Sequence, residues 1–330
     1  MTDAITVAPG YWAGFLACIL FFLALDLGVF HKRAHVVQFK EALSWTCLWV
    51  VLSLAFGLFL APHLIPGWER RETVEFVTGY VIELSLSLDN VFVIALIFSY
   101  FRVPGPYQHR VLFWGILGAL IMRGVMIAAG AAFIKRFSWA LYLLGAFLIF
   151  TGIKMLFSGH DGVHPQKNLA LRLVRKFLPT TTDFHGQKFA IREQGHLLLT
   201  PLALVLLMVE TTDLIFALDS IPAVFAITTQ PFIVFTSNVF AILGLRSLYF
   251  VLAGAISYFR YLKVGLSFVL VFIGVKMLLA PSGPTPHWFQ VHIGSGVSLL
   301  VVGGIIAVAM VLSVAAKWRE KHTRRTPPES

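Results

Sequence analysis

The chain of 330 residues has few charged residues and few cysteines, and both deficits restrict its class. Charged residues make up 13% of the sequence and hydrophobic residues 58%, with a mean hydropathy of +0.82. Soluble domains typically have about 25% charged residues. The two cysteines, Cys18 and Cys47, lie in apolar segments and provide neither a disulfide framework nor a soft-metal cluster. The composition therefore predicts a polytopic membrane protein.

Other absences exclude several functions. The sequence has no H-E-x-x-H, no G-x-S-x-G and no paired redox cysteines. We therefore expect neither an enzyme nor a bound prosthetic group. The net charge is +10, but no basic patch with interleaved aromatic residues occurs, so we expect no nucleic-acid partner. The N-terminus lacks a basic n-region, and a cleaved signal peptide is not expected.

Long apolar segments recur along the chain. About 20 apolar residues are enough for a helix to cross a hydrocarbon core of about 30 Å. Helices satisfy their own backbone hydrogen bonds in lipid, so the sequence predicts an all-α membrane domain. The nine predicted spans are 11–30, 42–61, 75–99, 109–132, 138–157, 198–227, 233–256, 261–279 and 291–314.

The basic residues between these spans predict the orientation. Most of the 26 lysines and arginines lie on one side, and the loop 158–196 is especially basic. Since cytoplasmic loops are enriched in such residues, we predict that the N-terminus is outside and the C-terminus inside. The loop 158–196 would then be cytosolic. Segment 281–330 is predicted to contain the last helix and a basic tail, from Lys317, that is disordered.

Two segments resemble each other and indicate an internal repeat. Segment 83–90 reads Glu-Leu-Ser-Leu-Ser-Leu-Asp-Asn, and segment 213–220 reads Asp-Leu-Ile-Phe-Ala-Leu-Asp-Ser. In both, two acids lie six residues apart, and a small polar side chain follows. The alignment also sets Arg123 over Arg246. It further pairs the sequence Gly-φ-Lys-Met-Leu, where φ is an apolar residue, at 152–156 with its second occurrence at 274–278.

The repeat predicts the membrane topology. Its two units, 75–157 and 197–280, contain three predicted spans each. Since three is odd, the second unit must enter the membrane with the opposite orientation. Inverted repeats are a common plan of secondary transporters, whose site lies near the midplane between the units.

The polar side chains within the spans are candidate cation ligands. An acid at membrane depth costs about 2.5 kcal/mol or more and is rarely accidental. Carboxylate, amide and hydroxyl oxygens without Cys or His suit Mn²⁺, Mg²⁺ or Ca²⁺, and the carboxylates can also carry protons. The candidates are Glu83, Asp89, Asn90, Glu210, Asp213, Asp219 and Ser220, with Asp26 and Asn238 as further candidates.

A structural interpretation competes with this one. The acids could form intramembrane salt bridges with Arg123 and Arg246, although they outnumber these counter-ions. Helix geometry adds a condition, because Glu83 and Asp89 point about 120° apart on a straight helix. Both can reach one ion only if the helix breaks or if two helices interleave their acids. Pro222 makes a break plausible in the second repeat.

Three segments resemble a known family. They are Glu83-Leu-Ser-Leu-Ser-Leu-Asp-Asn, the run that begins Val209-Glu-Thr-Thr-Asp-Leu, and Phe235-Thr-Ser-Asn-Val-Phe. They closely resemble the TerC family of bacterial integral membrane proteins, including its Alx-type members, and the similarity spans about residues 11–280. The resemblance implies a manganese exporter or manganese-homeostasis protein of the bacterial inner membrane, related to LysE-type exporters. The family name also implies a link to tellurium resistance.

The expected function is export of a divalent cation, Mn²⁺ first, in exchange for protons. The expected partners are that cation, protons and the lipid bilayer, and the sequence does not specify an oligomeric state. The alternative is a non-transporting membrane scaffold or biogenesis factor linked to tellurite or membrane stress.

Overall fold

The computed structural model describes residues 7–25, 38–137, 139–157, 168–193, 195–253, 261–280, 290–291 and 293–323, and it is predominantly helical. The first helices are α1 (Pro9–Leu25), α2 (Phe39–Ala55), a π-helical turn (Phe56–Leu60), α3 (Ala61–Leu64), α4 (Arg70–Tyr100), α5 (Gly105–Arg136) and α6 (Ala140–Phe157). They are followed by α7 (Leu169–Phe177), strands β1 (Ala190–Glu193) and β2 (His196–Leu199), α8 (Pro201–Phe225), α9 (Pro231–Ala253), α10 (Leu262–Leu279) and α11 (Ser295–Thr323).

The prediction of an all-α polytopic membrane protein is confirmed. Within the described ranges, eight helices are long and apolar enough to cross a membrane, the first of them formed by α2, the π-turn and α3 together. The remaining predicted span, 11–30, corresponds to α1, an apolar helix of 17 residues. Its predicted end, including Asp26, lies outside the described residues.

The helix contacts follow the internal repeat. The first unit contains α4, α5 and α6, and the second contains α8, α9 and α10. Helix α4 packs on α9, α5 packs on α8, and α6 packs on α10. If α4, α5 and α6 are exchanged with their equivalents α8, α9 and α10, the same three helix pairs result. The contacts are therefore symmetric with respect to the repeat.

The contact between α6 and α10 also shows the relative direction of the two units. A Cβ built on Gly145 would lie 3.0 Å from the carbonyl oxygen of Gly274, and one on Gly152 would lie 2.8 Å from that of Ser267. The residue numbers rise along α6 while those of their partners fall along α10, so these equivalent helices run antiparallel. Antiparallel equivalents are what an inverted repeat requires.

Helix α9 lies at the centre of the bundle. Its residues 232–249 are all buried, because α2, α4 and α5 pack around them. A helix that is apolar on all sides is stable only in such surroundings or in lipid. The single amide in its middle, Asn238, is completely buried.

The linker between the repeats contains regular structure that the sequence analysis did not predict. Helix α7 buries Leu171, and its N-cap Asn168 accepts a hydrogen bond from the Leu171 amide and donates one to Thr211 of α8. Strands β1 and β2 then form an antiparallel hairpin, with Ala190 opposite Leu199. The linker is therefore attached to the bundle in its described part.

The C-terminal helix is longer than expected. Helix α11 continues to Thr323, so residues 317–323, which were predicted to be disordered, are helical. Residues 324–330 of the predicted tail lie outside the described part of the chain.

Candidate cation site

Helix α4 carries the first set of polar side chains near its middle. Glu83, Ser87 and Asn90 are three or four residues apart in succession, so they lie on one face of the helix. All three are buried, and Glu83 is only 1% exposed. The helix runs without interruption from Arg70 to Tyr100, so these side chains enter the bundle from a continuous element.

Arg123 of α5 lies between the first acids of the two repeats. Its Nη1 donates to Oε2 of Glu83 at 2.8 Å, while Nη2 and Nε donate to Oδ1 and Oδ2 of Asp213 at 2.9 and 3.2 Å. The planar guanidinium matches a carboxylate in this forked arrangement. Arg123 is 2% exposed. Glu83 and Asp213 occupy equivalent positions in the repeat. They therefore share the buried guanidinium of Arg123.

Two amides extend this network. Asn238 donates from Nδ2 to Oε1 of Glu83 at 2.6 Å, and Asn90 donates from Nδ2 to Oδ1 of Asp213 at 3.5 Å. The Oδ1 atoms of both asparagines and Oγ of Ser220 are buried and have no hydrogen-bond partner within the described ranges. Buried polar atoms are normally satisfied. These three oxygens are of the type that binds hard cations.

A narrow cavity lies beside the network. It measures about 10 Å³, which is enough for about one water molecule. It brings the second acids of the two repeats, Asp89 and Asp219, to the same space. Its polar lining consists of Glu83, Ser87, Asp89, Asn90, Arg123, Asp219 and Ser220, and its apolar lining of Leu86, Met155, Phe216 and Leu266.

The two repeats reach this arrangement without a broken helix. Helix α8 continues through Pro222 and ends at Phe225, so of the two alternatives the break at Pro222 does not occur. Pro222 lies in the last turn of the helix, where it removes the one ladder hydrogen bond to the Leu218 carbonyl and leaves the preceding turns intact. Two continuous helices therefore interleave their acids, which is the other of the two conditions that helix geometry allows.

Helix α6 contributes a residue that the sequence analysis missed. The hydroxyl of Thr151 donates a hydrogen bond to the carboxylate of Asp219, and Lys154 one turn later exerts an attractive charge on it. Thr151 directly precedes the first Gly-φ-Lys-Met-Leu segment. The repetition of that segment marked this end of α6 as a conserved part of the repeat unit. It did not indicate that Thr151 bonds to Asp219.

Some predicted site residues lie outside the cavity. Glu210 packs against Gly118 on α5, and its Oε2 is buried and has no hydrogen-bond partner in the described part of the chain. Arg246 is buried, but it is not part of the cavity lining. Asp213 does not line the cavity, but it accepts hydrogen bonds from Arg123 and Asn90, which do. Asp26 lies outside the described residues.

Carboxylates alone do not form a metal centre in this arrangement. Among the residues that the structure describes, no group of three or more His, Cys, Asp or Glu side chains is positioned to hold a metal ion. A cation in the cavity would therefore use amide and hydroxyl oxygens beside Asp89 and Asp219. Mixed oxygen ligands of this kind, completed by water, are typical of Mg²⁺ and similar hard cations.

The fold and the site define a helical polytopic membrane protein made of an inverted repeat, with acids of both units around one buried arginine. The chain belongs to the integral membrane protein TerC family, which it matches over residues 68–323. No solved structure matches the chain.

Similar proteins occur in several bacteria. An uncharacterized membrane protein of Myxococcus xanthus is 52% identical over 93% of this chain and 92% of its own length. A protein of Escherichia coli K12 named putative membrane-bound redox modulator Alx is 44% identical over 96% of this chain and 98% of its own length. An uncharacterized membrane protein of Rickettsia felis is 39% identical over 94% and 99%.

Proposed function

We propose that the protein is a secondary transporter that exports a divalent metal cation from the cytoplasm in exchange for protons. Mn²⁺ is the leading candidate for that cation. The observation that carries this proposal is the joining of equivalent acids from two inverted repeats at one buried site. Glu83 and Asp213 share Arg123, while Asp89 and Asp219 line the adjacent cavity. Secondary transporters commonly place their substrate at such an interface between repeats.

The charges and ligand types favour a hard cation. Two carboxylates, Glu83 and Asp213, share a single guanidinium, so this network has a net negative charge when both acids are ionised. The orphan oxygens of Asn90, Asn238 and Ser220 add neutral ligands nearby. Oxygen-only ligands suit Mn²⁺, Mg²⁺ and Ca²⁺ better than Zn²⁺ or Cu⁺.

Proton exchange supplies the driving force in this proposal. Moving a divalent cation out against about 100 mV, inside negative, costs about 4.6 kcal/mol, and two entering protons release the same electrical energy. The carboxylates that bind the cation can bind the protons in its absence. We place the protein in the bacterial inner membrane with its N-terminus outside and its C-terminus inside, as the distribution of basic residues indicates.

The competing proposal is a non-transporting scaffold. The ion pairs of Arg123 would stabilise such a protein equally well, and the names of the Alx relatives describe a putative redox modulator rather than a transporter. The two functions differ in what they require of Asp89 and Asp219. A transporter needs these carboxylates to bind the cation, whereas a scaffold tolerates their replacement by isosteric amides.

The test is Mn²⁺ transport by purified protein in proteoliposomes, with and without a pH gradient. We expect Asp89→Asn and Asp219→Asn each to reduce the initial rate by about tenfold or more, which is typical for loss of a group that supports metal binding. Asp183→Asn is the matched control, because Asp183 is an exposed carboxylate in the linker.

The outcomes separate the two functions. A rate equal to that of protein-free vesicles, or full transport by both site variants, would refute the proposal. Competition by Mg²⁺ and Ca²⁺ in the same vesicles measures cation preference. In cells under manganese load, the transporter predicts lower cellular manganese when the protein is present. A scaffold predicts no such difference.

A further inference from the structure

Lys276 near the end of α10 is a buried lysine outside the candidate cation site. It is 7% exposed and lines a cavity of about 730 Å³ where α4 begins and α10 ends. Within the described residues it makes no hydrogen bond or close ion pair, and the charge that acts on it is that of Glu75. The Glu75 carboxylate already accepts a hydrogen bond from Arg71 Nε at 2.9 Å.

The cavity favours an anion. Arg70, Arg71 and Lys276 line it together with a single carboxylate, Glu75, so its described lining has an excess of positive charge. The counter-charge that acts on Lys276, Glu75, is already bonded to Arg71, so an anionic ligand in the cavity would give Lys276 a partner of its own.

The start of α11 adds backbone donors to this cavity. Gly294, Ser295 and Gly296 are part of its lining. The Ser298 amide donates to the Gly294 carbonyl, which begins the helical hydrogen-bond ladder and leaves the earlier amides without intrahelical partners. A Cβ built on Gly294 or on Gly296 would meet nothing within 4 Å, so an anion can approach the backbone. Helix N-termini with accessible amides favour phosphate groups.

The position of the cavity corresponds to the headgroup layer of a bilayer. Helices α4 and α11 begin there and α10 ends there. The antiparallel α6 begins at the same end, where Trp139 is 53% exposed and Tyr142 accepts a hydrogen bond from Gln290. Trp and Tyr are enriched at the membrane–water interface. The anion that reaches this cavity most directly is therefore a lipid phosphate.

An apolar groove continues along the same two helices. It measures about 690 Å³ and lies between α10 and α11. Phe272, one turn before Lys276, and Leu300, one turn after Gly296, both line it. Gly304 lies one turn further along α11, and a Cβ there would meet nothing within 4 Å. A free phosphate would use only the charged cavity, whereas a phospholipid would occupy the charged cavity and the groove.

We propose that Lys276, Arg70, Arg71 and the start of α11 bind the phosphate of an anionic phospholipid whose acyl chain lies in the α10–α11 groove. The charged cavity binds the headgroup and the groove selects for a chain. This inference does not depend on transport.

The test is lipid binding to the purified full chain, measured by native mass spectrometry with phosphatidylglycerol and phosphatidylcholine. We expect phosphatidylglycerol to bind more tightly, and Lys276→Gln to weaken its binding about fivefold, as expected for one basic residue facing an anionic headgroup. Arg192→Gln is the control, because Arg192 is an exposed basic residue on β1 and is not part of this lining. It should leave phosphatidylglycerol binding unchanged.

A second pair of variants tests the groove without changing any charge. Gly304→Leu should fill the groove and weaken phosphatidylglycerol binding, whereas Gly303→Leu, at the neighbouring open position outside the groove lining, should not. Equal binding of phosphatidylglycerol and phosphatidylcholine would overturn the proposal, as would an unchanged affinity in Lys276→Gln. Displacement of phosphatidylglycerol by an equal concentration of inorganic phosphate would assign the site to free phosphate and overturn the lipid assignment.

Discussion

Replacing Arg123 by methionine tests the energetic role of the buried network most directly. Arg123 is 2% exposed and makes three hydrogen bonds to Glu83 and Asp213 at 2.8–3.2 Å. The substitution leaves the buried carboxylate of Glu83 and the 11% exposed carboxylate of Asp213 without their shared guanidinium. Removing one partner of a buried ion pair costs about 3–5 kcal/mol, and two pairs are lost here, so we expect the upper end of that range.

The expected loss can be measured as a change in melting temperature. At about 2 °C per kcal/mol for a large domain, the Arg123→Met midpoint should fall by about 10 °C. Tryptophan fluorescence of the purified protein in one detergent at one pH provides the assay. Arg192→Met is the control, since Arg192 is an exposed arginine on β1, and its midpoint should not change.

A triple variant separates lost charge balance from lost packing. Neutral groups of similar size often replace a buried ion cluster at little cost. Arg123→Met combined with Glu83→Gln and Asp213→Asn should therefore recover most of the lost melting temperature. An unchanged midpoint in the single variant would refute the reasoning. A triple variant less stable than the single one would show that the carboxylates are not the source of the cost.

Two further predictions concern the glycines at close helix contacts. Gly274→Val should lower the melting temperature by several degrees, because a Cβ there would lie 2.6 Å from the Gly145 backbone carbonyl, and overpacking costs about 1–3 kcal/mol. Gly118→Ala should cost less, since the group it displaces is the flexible carboxylate of Glu210 rather than backbone. Gly303→Val, at an open position, is the control for both, and a larger loss in Gly118→Ala than in Gly274→Val would contradict this order.

Hydropathy and the repeat were sufficient to predict the architecture. Eight predicted spans correspond to helices of membrane-spanning length, because a continuous apolar run has few other stable conformations in lipid. The odd number of spans per unit predicted opposite orientations, and α6 and α10 are antiparallel. The equivalence of Glu83 and Asp213 is also evident from the aligned segments, and in the structure both acids bind Arg123.

Arg123 was recognisable from the sequence as a counter-ion for the membrane acids, and it pairs with Glu83 and Asp213. The choice of partner for the other residues could not be predicted, because it depends on tertiary packing. Lys154 and Lys276 lie in nearly identical segments, yet Lys154 is exposed and faces Asp219, whereas Lys276 is buried near Glu75. Local sequence does not distinguish these environments. The choice between a break at Pro222 and two interleaved helices was left open by the sequence for a similar reason. The effect of a proline depends on its distance from the helix end, and boundaries within an apolar run are poorly defined by sequence.

The guanidinium of Arg123 is covalently attached to the site that it neutralises. For any free cation that binds Glu83 and Asp213, it acts as a tethered competitor whose effective concentration is set by the fold and not by the cell. The apparent affinity of these carboxylates for an ion is therefore lower than two unpaired acids would provide. A site of moderate affinity releases its ion quickly, and rapid release is as necessary for transport as binding is.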